Sequence, residues 1–217
     1  GWYLLSKAKY ISFLLLRTRS LKTSISLKHI NKLAIPALIS GVSEPILSIT
    51  DTAIVGNMNL NATESLAAVG IVGAFISMLI WVLGQTRSAI SSIVSQHLGA
   101  NQLDKVRNLP AQAIFIITSI SILIIITTYP FAHSIFKLYN ASGLILDYSV
   151  EYYRIRVFGF PFTLFTIAVF GAFRGLQNTY YPMIIAIIGA ITNIILDVIL
   201  VYGIEGVLSP MHIKGAA

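Results

Sequence analysis

LAIPALISGVSEPILSITDTAIVG, Leu33–Gly56, is the stretch on which the reading of the whole chain turns. It is long enough to cross a bilayer core, which takes about 20 predominantly apolar residues. It nevertheless carries two acids, Glu44 and Asp51, and no lysine or arginine. The acids stand seven apart, so a helix places them on nearly the same face. Ser40, Ser43, Ser48 and Thr52 add polarity to that helix. A carboxylate facing hydrocarbon is costly, and acids at such depth normally face a bundle interior or an ion path.

Composition outside this stretch points the same way. The 217 residues are 56% hydrophobic and only 11% charged, where a soluble domain is about 25% charged. The mean hydropathy is +0.81. There is no cysteine, which excludes disulfides and thiolate sites. The net charge of +7 is local in origin: Lys7, Lys9, Arg17, Arg19, Lys22, Lys28 and Lys32 come before any acid, and the remaining basic residues are balanced by the acids. No nucleic-acid function follows from such a tail. A basic flank before a first span reports a cytoplasmic N-terminus.

Residues 1–27 are expected to be a basic leader, disordered or non-native, and residues 28–217 a transmembrane bundle. The chain opens on Gly1 rather than Met. The apolar run Ile11–Leu16 is too short to span. Arg17 and Arg19 follow it at once, unlike a signal-peptide cleavage site.

Five segments are long and apolar enough to cross: Leu33–Val55, Leu66–Ile90, Pro110–Tyr129, Val150–Phe173 and Pro182–Tyr202. Backbone groups in lipid must be satisfied within the segment, so the predicted class is all-α, a polytopic helix bundle. Breakers separate the segments: Gly56-Asn57, Gly99-Ala100-Asn101, Asn140-Ala141-Ser142-Gly143 and Gln177-Asn178-Thr179. Arg87 is read as marking the inner end of the second span, the alternative being a buried pairing partner. Glu151, three before Arg154, is read as a surface pairing partner on the fourth. The last residues, GIEGVLSPMHIKGAA, are expected to lead from an outer loop into the start of a sixth span.

A third acid, Asp197, lies in the fifth segment. TNIILDVIL sets Asn193 and Asp197 four apart, on one helix face. Burial disfavours the charged form of a carboxyl, so a buried acid can carry a proton or exchange it for sodium. Asn193 and Thr192 supply hard oxygens beside it. The plainer reading is that these polar groups bond neighbouring helices and hold the bundle together. Pro36 and Pro45 fall in the first helix, and each removes a backbone hydrogen bond. Pro36 also suits a first turn. Pro161 is expected to kink the fourth helix.

These residues resemble the multidrug and toxic compound extrusion (MATE) family, in its DinF-like branch. LAIPALISGVSEPILSITDTAIVG followed by ESLAAVGIVG looks like the family's first two helices. RIRVFGFPFTLFTIAVFGAFRGLQNTYYPM looks like its fourth helix and following loop, and NIILDVILVYG like its fifth. The resemblance covers about Leu27 to Ala217. It implies the N-terminal lobe of a twelve-helix transporter, with a C-terminal six-helix half as partner. It implies a multi-pass protein of the plasma (inner) membrane that exports small organic, often cationic or amphipathic compounds against protons or sodium. No cofactor is implied beyond that coupling ion. The family's coupling site falls on Asp51, Asn193 and Asp197, with Tyr152 or alternatively Tyr153 from the fourth helix. These residues would also hold sodium. The family's bending proline falls on Pro36. Glu44 receives no role from the resemblance and stays a candidate cavity acid.

Other features carry less. His29, His97, His133 and His212 form no close ligand pair. GAFRG matches G-x-x-x-G, but Arg174 within it argues against a lipid-buried dimer face. Two rivals remain open. A lipid-linked precursor flippase of the same superfamily would need several inward-facing arginines, and the interior reads as acidic. A membrane enzyme or non-transporting assembly subunit would need a nucleophile–base or metal cluster, and the sequence offers none.

Overall fold

The computed structural model describes residues 26–58, 61–204 and 207–217. The leader expected over residues 1–27 therefore lies almost wholly outside the described residues. The chain divides into a unit ending at Lys32 and a unit Leu33–Ala217. Of the first, residues 26–32 are described, and they open a helix that continues into the second. The second unit holds every other described element.

The described residues form eight α-helices. They are α1 Leu27–Gly56, α2 Ala62–Gly84, α3 Thr86–Gly99, α4 Leu109–Thr128, α5 Ala132–Leu138, α6 Gly143–Arg156, α7 Phe160–Gly175 and α8 Tyr180–Tyr202. Five continuous stretches are long and apolar enough to cross a membrane: Leu27–Gly56, Ala62–Gly99, Asp104–Thr128, Gly143–Gly175 and Tyr180–Tyr202. The all-α polytopic class is thus what the chain adopts.

Several boundaries differ from the sequence expectation. The second span does not end at Ile90, and Arg87 does not mark its end. After a turn at Gln85 the chain continues as α3 to Gly99. The continuation, SSIVSQHLG, is too polar to register as hydrocarbon-spanning, yet nothing in it stops a helix. The fourth span starts earlier, at Gly143, and is split by a 3₁₀ turn at Val157–Gly159. Pro161 sits in the first turn of α7 and lacks the N–H a continuous helix would use there, which explains the break. The connectors pass through the left-handed region at Asn101, Asn140 and Gln177, a conformation that asparagine tolerates and glutamine does not favour.

Packing falls into two apolar clusters. One joins Val55, Val72, Phe75, Phe136, Tyr153 and Val201 near the Gly56 and Tyr202 ends. Phe75, Phe136 and Tyr153 meet there edge to face, with centroids 5.3–6.0 Å apart. The other joins Ile90, Val94, Ile117, Phe160, Leu164 and Ala168 toward the opposite end. Helices α3 and α7 approach one another closely. A Cβ on Gly171 would lie 2.8 Å from the Arg87 carbonyl, and one on Gly175 would lie 2.6 Å from Val94 Cβ. The G-x-x-x-G pair therefore serves an intramolecular helix crossing, a use the sequence does not reveal.

Helix α1 is held near both ends. Thr179 Oγ1 donates to the Leu33 carbonyl at 2.9 Å, and Tyr202 Oη donates to the Ile54 carbonyl at 2.9 Å. Its buried residues, Asp51, Ile54 and Val55, all lie near its C-terminal end. Between these anchors the helix stands away from the bundle and borders cavities on two sides. Residues 207–217 fold back on α8, where Met211 N–H donates to the Leu200 carbonyl at 2.9 Å. Gly215 sits so close to Leu200 that a Cβ there would be 2.5 Å from its carbonyl carbon.

Candidate functional site

The site begins with α1. Its last two turns are pinned by Tyr202 and pack Ile54 and Val55 into the first cluster, which fixes the rotation of the helix. That rotation turns Asp51 inward, leaving it 9% exposed. On α8, the burial of Val201 turns Asp197 to the same interior, at 6% exposed. The two carboxyl groups are near enough to influence one another electrostatically, with no hydrogen bond joining them. They belong to different helices 146 positions apart in sequence, and only the fold brings them together.

Two oxygens at this place have no hydrogen-bond partner: Asp51 Oδ1 and Asn193 Oδ1, both buried. Asn193 is one turn from Asp197 on α8 and lines a small cavity of about 270 Å³ with Arg156, Phe160, Thr163 and Ala217. Asp51 lines a larger cavity of about 700 Å³ with Glu44, Ser48, Thr52, Tyr152 and Arg156. Asn193 therefore borders the acid pair from a neighbouring chamber, and Arg156 faces both chambers.

Tyr152 and Tyr153 part company in the structure. Tyr152 is 4% exposed and lines the cavity within electrostatic reach of Asp51, Asp197 and Arg156. Tyr153 is fully buried in the aromatic cluster and bonded to the Thr128 hydroxyl. Glu44 is exposed on α1 and stands where the larger cavity meets a second one of about 670 Å³. Pro36 lies within α1 between the Thr179 anchor and the cavities, and the helix runs through it and Pro45 without a break.

Arg156 is a site residue that sequence reasoning does not single out. In the sequence it reads as an orientation signal, although it stands four after Tyr152 and so shares its helix face. No carboxylate lies within 4 Å of it among the described residues, since the ion pair they form joins Lys214 to Glu151 at 2.8 Å. That pair also corrects the expectation for Glu151, which meets the C-terminal segment instead of Arg154. Arg154 lies over the Tyr129 ring, 5.6 Å from its centroid. The interior is not simply acidic, because an arginine faces the acid pair.

The arrangement offers two carboxyls, two orphaned oxygens and a phenol around a chamber. Two carboxylates in one poorly hydrated place repel, and unpaired buried oxygens are unfavourable. Both conditions would be relieved by a proton or a small hard cation.

The family model described as MatE matches residues 36–199. The chain belongs to the MatE family. DNA damage-inducible protein F of Escherichia coli K12 is 27% identical over 85% of this chain and 39% of its own length. Multidrug resistance protein MdtK of Edwardsiella ictaluri is 28% identical over 79% of the chain and 37% of its own. A solved MATE structure in a bent conformation superposes with a TM-score of 0.78 at 25% identity, covering 88% of this chain and 41% of that one. A MOP superfamily transporter from Pyrococcus furiosus gives a TM-score of 0.75 at 25% identity over 87% of this chain and 40% of its own. The chain thus spans about two fifths of the length of the relatives it matches. MatE members are membrane transporters, which sets this chain apart from the enzymes.

Proposed function

We propose that this MatE chain is the N-terminal lobe of a secondary antiporter that exports small organic compounds in exchange for protons or sodium. The observation that carries the reading is the convergence of the buried Asp51 and Asp197 carboxyls beside the unpartnered Asn193 Oδ1. A coupling ion needs a place where its charge is wanted and water is scarce, and intramembrane acids of this kind mark ion pathways.

The mechanism follows from the position of α1. Asp51 sits on a helix anchored at Leu33 and Ile54 and unsupported between them. When the acid pair holds a cation, its repulsion is relieved and α1 can settle against α8. When the cation leaves, the carboxylates repel and α1 moves off, with the prolines easing the change. This alters the cavity between α1 and α2, which supplies room for an organic cargo. The names of relatives such as MdtK support multidrug export as the activity of the whole protein. The remaining length of such relatives supports a second lobe as partner, and the N-terminal basic flank supports a cytoplasmic start in a plasma membrane. The flippase alternative is less favoured, because the arginine in the chamber beside Asp51 stands against acids and the relatives' names point to multidrug resistance.

The test is Asp51→Asn in the intact gene product. Ion-driven efflux and drug resistance should be lost while membrane insertion and expression persist. Undiminished resistance in the mutant would refute the coupling role.

A further inference from the structure

A second cavity, of about 670 Å³, lies on the other side of α1, between it, α7 and α8. It is lined by Arg87 from the start of α3 and Arg174 from the end of α7. The two guanidinium groups thus share one chamber as like charges. Neither has a carboxylate within 4 Å among the described residues. The Arg174 Nε–H is buried and has no acceptor. The hydroxyls around the chamber do not compete for a guest's acceptor atoms. Ser40, Ser43, Thr163 and Thr166 each donate to a carbonyl of their own helix or its leading turn, at 2.9, 3.1, 3.2 and 2.9 Å. Glu44 reaches the same chamber from α1 but pairs with neither arginine.

Two like charges without a counterion at membrane depth form an unfavourable arrangement. An oxyanion between them would neutralise both and accept from the orphaned Nε–H. Guanidinium forks match the oxygens of a phosphate in a bidentate manner. Arg174 is one residue from the end of a spanning segment, near the depth of lipid head groups. Basic pockets between spanning helices are known to take anionic head groups.

We propose that Arg87 and Arg174 form a binding site for a phosphate-bearing anion, separate from the acid pair. Its guest is either the head group of an anionic phospholipid or a free phosphate ester. The site rests on the two arginines and their chamber and does not depend on the transport reading.

Native mass spectrometry of the purified intact gene product tests this. It is titrated with dioleoylphosphatidylglycerol and, separately, with dioleoylphosphatidylcholine. A thermal-shift series with inorganic phosphate against chloride forms the second arm. The wild-type chain should retain phosphatidylglycerol at least about tenfold more tightly than phosphatidylcholine. Arg87→Gln with Arg174→Gln should remove that preference, and Arg174→Lys, which keeps the charge and loses the fork, should weaken it several-fold. Glu44→Gln should leave binding intact or strengthen it. Arginine-dependent retention of phosphatidylglycerol identifies a lipid guest. Arginine-dependent stabilisation by phosphate without a lipid preference identifies a soluble one. A wild-type chain with no preference in either arm overturns the site, as does a double glutamine variant that binds like wild type. The wild-type comparison decides the matter even where the double variant does not fold.

Discussion

Arg156 sets the electrostatic level of the chamber around Asp51 and Asp197. It is half-buried, unpaired within 4 Å and open to both chambers beside the acids. A fixed positive charge there competes with any cation that enters. At an effective dielectric of about 20, a unit charge ~8 Å away is worth about 2 kcal/mol. Arg156→Gln should therefore tighten the coupling cation by about tenfold or more. The measurement is the sodium or proton concentration that half-saturates efflux by the intact gene product. A half-saturation that does not move would remove Arg156 from this role. The two acids are legible in the sequence, because a carboxyl among apolar residues is conspicuous. Arg156 is not, because an arginine near a helix end has an ordinary explanation at the membrane surface. Which of Tyr152 and Tyr153 faces the chamber depends on the rotation of α6, and adjacent residues of a helix cannot be ranked until that is known.

At the scale of elements, the crossing of α3 and α7 is a demanding contact. Small residues let helix backbones approach closely where the hydrophobic effect does not drive association. Gly175→Val would force a side chain into Val94 and the Ser91 carbonyl, where even a Cβ would be 2.6 and 2.9 Å away. Overpacking of this kind costs about 1–3 kcal/mol. The variant should unfold at lower temperature in detergent, while Gly99→Ala in α3 should be silent, because nothing lies within 4 Å of that position. Equal melting of Gly175→Val and wild type would mean that the crossing relaxes freely. The existence and order of the five spans are readable from hydropathy. Their true lengths are not, since a polar continuation such as SSIVSQHLG forms a helix without appearing in a hydropathy count. The use of GAFRG within the chain is equally hidden, because its partner on α3 carries no matching motif.

For the molecule as a whole, the direction of insertion can be read out chemically. The chain contains no cysteine, so each introduced thiol reports alone. With a cytoplasmic N-terminus, Asn57→Cys and Asn140→Cys should react with a membrane-impermeant maleimide in intact cells. Gln102→Cys and Gln177→Cys should react only after permeabilisation. All four native side chains are exposed in connectors. The reverse pattern would invert the orientation. The bundle class is expected from composition and the joining of distant acids from the family resemblance, whereas the two chambers flanking α1 cannot be foreseen, because empty space between helices leaves no mark on the chain. The touching backbones at Gly171 and Gly175 have a last consequence. A seam that lacks room for one added carbon admits neither a solvent file nor an acyl tail. Any permeation route through this lobe must therefore bypass the crossing of α3 and α7, so a blocker has nothing to gain at that seam.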